Sequence, residues 1–214
     1  MKTLAILGDS YSTYLGWIPE DYLHWYADSG NDCENDMSSV EDTWWRLLVK
    51  KYDLKLIANC SYSGSTVCNT GYDAQDASGT SFIHRMKREL GEERESSEQP
   101  DILIVFGGTN DFWAGSPVGS IQYEGQTDED KKAFAPAFCY MMEYLKRYNP
   151  HSVIYNVIND EITGPIREVM EEVCRHFSIP NINLEGIDKQ NGHPNTAGMA
   201  RIAEQIAKAT SWGR

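Results

Sequence analysis

The chain has 214 residues, 41% of them hydrophobic and 24% charged, with 32 acidic against 19 basic side chains and a formal net charge of −13 at pH 7. That length suits one domain with a substantial buried core, expected to span residues 1–214, and the composition is that of a soluble globular protein. An acidic chain without a cluster of Lys or Arg argues against nucleic acid or an anionic membrane surface as partner, and no apolar run reaches membrane-spanning length.

The chain opens on a short apolar run, Leu4-Ala5-Ile6-Leu7, which predicts a buried strand over residues 3–7. The run reaches Gly8-Asp9 too early for a signal peptide, so a cytoplasmic location is expected. Residues 11–41 follow as a long irregular segment carrying Tyr11, Tyr14, Trp17, Tyr22, Trp25 and Tyr26, then a polar, acidic stretch from Asp28 to Asp36. A helix is predicted over 43–52, a strand over 55–59 and a helix over 82–90. Residues 91–100 read as a solvated connector. The next strand, 102–106, leads into a second irregular segment, 112–130, which begins with Phe112-Trp113. A helix over 131–148, a strand over 153–158, a helix over 164–177 and a weaker strand over 181–184 complete the alternation. In the last helix, 195–209, Met199, Ile202 and Ile206 recur at helical spacing and Asn195 can cap the first turn. Five strands alternating with helices imply a parallel sheet covered on both faces, a three-layer α/β/α sandwich. The five cysteines are odd in number and lack Cys-x-x-Cys spacing, which points to reduced thiols rather than disulfides or a zinc site.

Four short blocks carry candidate chemistry. Gly8-Asp9-Ser10 puts a hydroxyl at the carboxyl edge of the first strand, where α/β proteins build their sites. Ser63-Gly64-Ser65 follows the second strand, and a Gly there lets a backbone N–H face a ligand without a side chain in the way. Gly108-Thr109-Asn110-Asp111 follows the third strand, with an Asn amide able to donate to an oxyanion. Gly192-His193-Pro194-Asn195 precedes the last helix, so the His193 ring can project toward Ser10. Singly, each block has a plainer reading: a turn Ser, a turn Gly, an Asx-turn, a structural His. Acyl transfer needs a nucleophile, a base and oxyanion donors, and the ordered set contains one of each.

In order and spacing the four blocks resemble the GDSL/SGNH hydrolase family, and the likeness spans nearly the whole chain. It implies a flavodoxin-like fold, Ser10 as nucleophile, His193 as base, and the Ser10 N–H, Gly64 and Asn110 as oxyanion donors, with no cofactor or metal. The chain departs from the family at the acid, which usually stands three residues before the His; that position is Gln190. Asp188 is the nearest carboxylate, and the Asn191-Gly192 turn signal could bend it back to the imidazole. A Ser-His dyad braced by Gln190 or by a backbone carbonyl is the rival arrangement.

Each long segment directly follows a block, so Tyr11, Trp17, Phe112 and Trp113 are expected to line the substrate site, against the plainer reading that they pack the segments down. Aromatics amid polar residues, with few continuous aliphatics, favour a short acyl group on a polar carrier, a carbohydrate acetyl ester. Lysophospholipase, thioesterase or aryl esterase activity is the alternative within the family, since fold does not choose among substrates. A non-catalytic sugar-binding module is the alternative outside it. A metallophosphoesterase would need several more His and Asp ligands than the sequence places together.

Overall fold

The computed structural model describes residues 1–28, 35–210 and 212. Five strands form one parallel sheet: β1 (Thr3–Gly8), β2 (Lys55–Asn59), β3 (Ile102–Phe106), β4 (Val153–Ile158) and β5 (Asn181–Asn183), in the order β2-β1-β3-β4-β5. Their apolar residues alternate between the two faces with period two. Leu4, Ile6, Ile102, Ile104 and Phe106 meet helices α1 (Trp44–Tyr52) and α6 (Thr196–Ala209) through Trp44, Trp45, Leu48, Met199, Ile202 and Ile206. Ala5, Leu7, Leu103 and Val105 meet α2 (Phe82–Leu90), α4 (Phe134–Tyr148) and α5 (Gly164–His176) through Phe82, Met86, Phe138, Met141, Met170 and Val173. Both faces are buried, which is why the strands read as unbroken apolar runs, and the architecture is the expected α/β/α sandwich.

The strand order places the site. The chain leaves β1 in one direction to reach β2, then crosses back past β1 to β3 and continues the other way, so the connections after β1 and β3 diverge and open a crevice between them.

Two stretches differ from the sequence reading. Segment 112–130 does not start as a loop: Gly108, at φ +88°, turns the chain straight from β3 into a short helix α3 (Thr109–Ala114), closed by Gly115 at φ +63°. Helix α4, expected from residue 131, accordingly starts at Phe134, after a single turn at Asp130–Lys132. A small antiparallel pair, β6 (Lys189–Gln190) and β7 (His193–Pro194), precedes α6. It is too short to leave a periodic signal in the sequence. In segment 11–41, Tyr11, Tyr14 and Tyr26 are fully buried on the α1/α6 side. Part of the acidic stretch, including Cys33, lies outside the described residues; Cys60, Cys68, Cys139 and Cys174 are free thiols in the core. Among the described residues no helix is long and apolar enough to cross a membrane.

Helix α6 starts as expected on Asn195, whose side chain accepts from the Gly198 N–H at 2.9 Å. Gly198 also lets the helix approach the backbone of the segment leading into β6: a Cβ at this position would overlap the carbonyl oxygen of Asp188. That carbonyl in turn accepts from the Asn195 N–H at 3.1 Å, closing the base of the hairpin that carries His193. Gly198→Ala should therefore cost about 1–3 kcal/mol of stability, as overpacking does. A denaturation midpoint equal to that of the unsubstituted protein would contradict the close approach.

Candidate active site

Ser10 lies on the first residue of a single helical turn (Ser10–Ser12) that begins immediately beyond β1. Asp9 caps that turn, its Oδ1 accepting from the Tyr11 N–H at 3.0 Å. The Ser10 carbonyl accepts from the Thr13 hydroxyl at 3.0 Å, so the turn is braced at both ends. Asp9 is fully buried, and burial pushes its carboxyl up to about 7, against the opposing pull of the Tyr11 N–H and the Arg85 guanidinium.

Arg85, on α2, is itself fully buried beneath this edge of the sheet. It donates to the carbonyl of Gly8 at 3.1 Å, to that of Cys60 and to Ser65 Oγ at 2.7 Å. One guanidinium thus fastens the ends of β1 and β2 to the Ser63-Gly64-Ser65 block. Burial lowers its pKa to about 10, leaving it charged at neutral pH. Asp111 does the corresponding work from β3: its carboxylate accepts from the N–H groups of Val67 at 2.8 Å and Cys68 at 3.2 Å. Burial raises this carboxyl to about 6, and the two backbone donors hold it down from going higher. The first three blocks are therefore tied together by buried charge.

Gly64 adopts φ +79°, a conformation reserved in practice for glycine, and is exposed. Asn110, in the first turn of α3, is buried. The Tyr72 hydroxyl donates to its Oδ1 at 2.7 Å, and its Nδ2 donates to the Ser65 carbonyl at 3.0 Å. These two bonds fix which way the amide faces. They also leave the second Nδ2 hydrogen for a ligand, since an amide nitrogen carries two.

His193 reaches Ser10 across the crevice: Nε2 is 2.9 Å from Oγ. The ring is carried by the β6–β7 hairpin, whose two turn residues are Asn191 (φ +49°) and Gly192 (φ +73°), as the Asn-Gly signal suggests. The turn does not bring Asp188 to the imidazole. Nδ1 instead lies 3.0 Å from the backbone carbonyl of Asn191. A carbonyl can only accept, so Nδ1 carries the hydrogen and Nε2 presents a lone pair to the Ser10 hydroxyl. Asp188 is exposed at the base of the hairpin. Gln190 does not face the ring either: its side-chain carbonyl accepts from the Asp36 N–H at 2.8 Å. The carboxylates after β4 are engaged by Lys189, whose Nζ lies 2.6 Å from Asp160 and 2.7 Å from Glu161.

The hairpin is clamped from segment 11–41. Tyr11 donates its hydroxyl to the Gly192 carbonyl at 2.7 Å and Tyr26 to that of Pro194 at 2.8 Å. Trp25 stacks on the imidazole, with centroids 3.6 Å apart and planes within 9°. Burial is the main influence on His193 and lowers its pKa, while the Asn191 carbonyl and Glu161 oppose that shift and Lys189 reinforces it.

The four expected wall residues divide. Trp113 is partly exposed, packs at an angle to Tyr11 and His193, and donates from Nε1 to Glu161 at 3.1 Å. Tyr11 is at the site but buried, with its hydroxyl spent on the hairpin. Phe112 turns to the core on the α2/α4/α5 side. Trp17 packs on Trp45 beneath Arg46, beside β2 rather than beside the imidazole. Tyr72 and Trp25 take the places that Phe112 and Trp17 were expected to fill. Trp25 was visible only as one of several aromatics, and Tyr72 stands in a polar stretch with no pattern to single it out. Among the described residues no group of three or more His, Cys, Asp or Glu side chains is placed to hold a metal ion.

Residues 2–210 match the family model described as GDSL-like Lipase/Acylhydrolase. The fold is shared with a "putative GDSL-like lipase" from Bacteroides uniformis at 46% identity and TM-score 0.91, covering 98% of this chain and 95% of that one. A second "putative GDSL-like lipase", from Bacteroides ovatus, matches at 42% identity and TM-score 0.91, covering 97% of both chains. A family two carbohydrate esterase from Cellvibrio japonicus shares the fold at 15% identity and TM-score 0.66, covering 99% of this chain and 62% of its own. No curated protein matches the chain significantly in sequence. The match along almost the full sequence, on the same α/β/α frame, makes this chain a member of the GDSL-like lipase/acylhydrolase family.

Proposed function

We propose that the protein is a serine esterase that hydrolyses a short-chain ester, in the first place an acetyl ester on a carbohydrate, through an acyl-enzyme. The observation that carries this reading is the 2.9 Å contact between His193 Nε2 and Ser10 Oγ, made beside a glycine and an oriented amide. Ser10 Oγ attacks the ester carbonyl carbon as its proton passes to Nε2. The carbonyl oxygen becomes an oxyanion held by the Ser10 N–H, the Gly64 N–H and Asn110 Nδ2. The imidazolium returns its proton to the leaving alkoxide as the tetrahedral adduct collapses, leaving Ser10 acylated. Water then attacks the acyl group as Nε2 takes its proton, and the imidazolium returns that proton to Ser10 Oγ as the second adduct collapses, releasing the carboxylic acid. In place of a carboxylate, the Asn191 carbonyl dipole orients the ring and takes up part of the imidazolium charge.

The rim supports a polar carrier. Trp113 and Tyr72 are each partly exposed beside the crevice, and Glu161 and Lys189 stand next to Trp113. Rings with polar tips suit the alternating C–H and O–H faces of a sugar better than an acyl chain, which would need a continuous aliphatic trough. The four buried, unpaired thiols support a reducing compartment, the cytoplasm, as the place of work.

A fluorophosphonate should modify Ser10 alone, and p-nitrophenyl acetate should be turned over faster than the octanoate. Labelling at another residue, or a preference for the long chain, would overturn the nucleophile or the acyl assignment respectively. Asn110→Ala should lower kcat by about 10²–10³ with little change in KM, as for a donor used in the transition state. Asp188→Asn should keep kcat within about threefold, whereas amidating a true triad acid costs about 10⁴. A loss of that larger size at Asp188 would restore it to the imidazole.

A further inference from the structure

The reaction above makes an imidazolium in a site where, among the described residues, no carboxylate touches the ring. Nδ1 meets a neutral carbonyl, and Glu161, a carboxylate whose field reaches His193, is already neutralised at 2.7 Å by Lys189. Burial meanwhile disfavours the charged ring. The Asn191 carbonyl and Glu161 offset part of that cost, and the geometry offers a further group that favours the cation.

We infer that Trp25 is a positioning residue whose indole face stabilises the His193 imidazolium during turnover, taking over the electrostatic part of the missing triad acid. This inference rests on the esterase reading. The indole lies flat on the imidazole at 3.6 Å and 9°, with the electron-rich face of one ring against the other. The other rings around His193 meet it at steep angles: Tyr11 at 63°, Trp113 at 68° and Tyr26 at 78°. Trp25 is also built in register with the nucleophile. Its backbone N–H donates at 2.9 Å to the Thr13 hydroxyl, and that same hydroxyl donates to the Ser10 carbonyl. One side chain thus sets the spacing of both the nucleophile's turn and the indole that covers the base. Among the described residues the titratable groups facing His193 are Glu161 after β4, Lys189 on β6, and Tyr11 and Tyr26 from segment 11–41. Both tyrosine hydroxyls are donated to hairpin carbonyls and held neutral by burial.

The contribution is separable from shape. Tryptophans bearing one to four fluorines, placed site-specifically at position 25 in the full chain, keep the size of the ring while withdrawing density from its face. Across that series kcat should fall stepwise by roughly tenfold in all, with KM unchanged. The pKa of His193, read from its ring protons by NMR titration, should fall in step, because the cation loses support while burial stays constant. Trp25→Phe should retain more activity than Trp25→Leu. A flat kcat and a flat His193 pKa across the fluorinated series would overturn the inference and leave Trp25 as a wall. Fluorophosphonate labelling separates the two levels: failure to modify Ser10 in the unsubstituted protein would remove the esterase reading. The NMR titration would then still decide whether the indole stabilises the cation.

Discussion

The site depends on one two-residue turn. A hairpin as short as Gln190–His193 needs consecutive left-handed residues to close, and Asn191 and Gly192 supply them at φ +49° and +73°. In that conformation the Asn191 carbonyl faces back toward the side chain two residues on. The hairpin that presents the imidazole therefore also provides its acceptor, fixing the tautomer without a second element of the fold. Anything that shifts the hairpin shifts base and acceptor together, which keeps the Nε2 lone pair aimed while the absolute position is set elsewhere. That position is set by Tyr11, Tyr26 and Asn35 on its carbonyls and by the packing of Gly198 at its base.

Opposite the hairpin, Ser10, Gly64 and Asn110 rest on buried charge. Arg85 joins the ends of β1 and β2 to Ser65, and Asp111 joins α3 to the loop that follows Gly64. Such groups are costly to bury, as the raised carboxyls of Asp9 and Asp111 and the lowered Arg85 show. What they contribute is position: Asp9 and Asp111 accept from backbone N–H groups, and Arg85 donates to backbone carbonyls and the Ser65 hydroxyl, most of them in or beside the four blocks. Parallel strands deliver those blocks to one edge, and the buried polar groups hold them in register there. Buried polar groups hold the strand side of the site, whereas on its aromatic side Trp113 and Tyr72 meet solvent.

The frame was legible because strands buried on both faces leave unbroken apolar runs, and helices between them leave a periodic stripe. Ser10, Gly64, Asn110 and His193 were legible because each stands in a short block directly after a strand or before a helix. The partner of His193 was legible only as a choice. A backbone carbonyl has no letter of its own, so the sequence favours Asp188, which is exposed, over the backbone carbonyl that the hairpin supplies. Segment 11–41 hid its functional member for a different reason: irregular backbone has no period, so nothing separates Trp25, flat on the imidazole, from Trp17, packed on Trp45. Tyr72 orients Asn110 across 38 residues of sequence, a contact that only the fold creates.

Among the described residues His193 has its Nδ1 hydrogen on a backbone carbonyl and no carboxylate behind it, the state in which it is proposed to act as a base. Long-range ¹H–¹⁵N correlation of the imidazole in the free protein, above the pKa of His193, reads that state. A protonated Nδ1 and a bare Nε2 are expected, with the same ring shifts in Asp188→Asn as in the unsubstituted protein. An Nε2–H tautomer, or ring shifts that move when Asp188 is amidated, would contradict it.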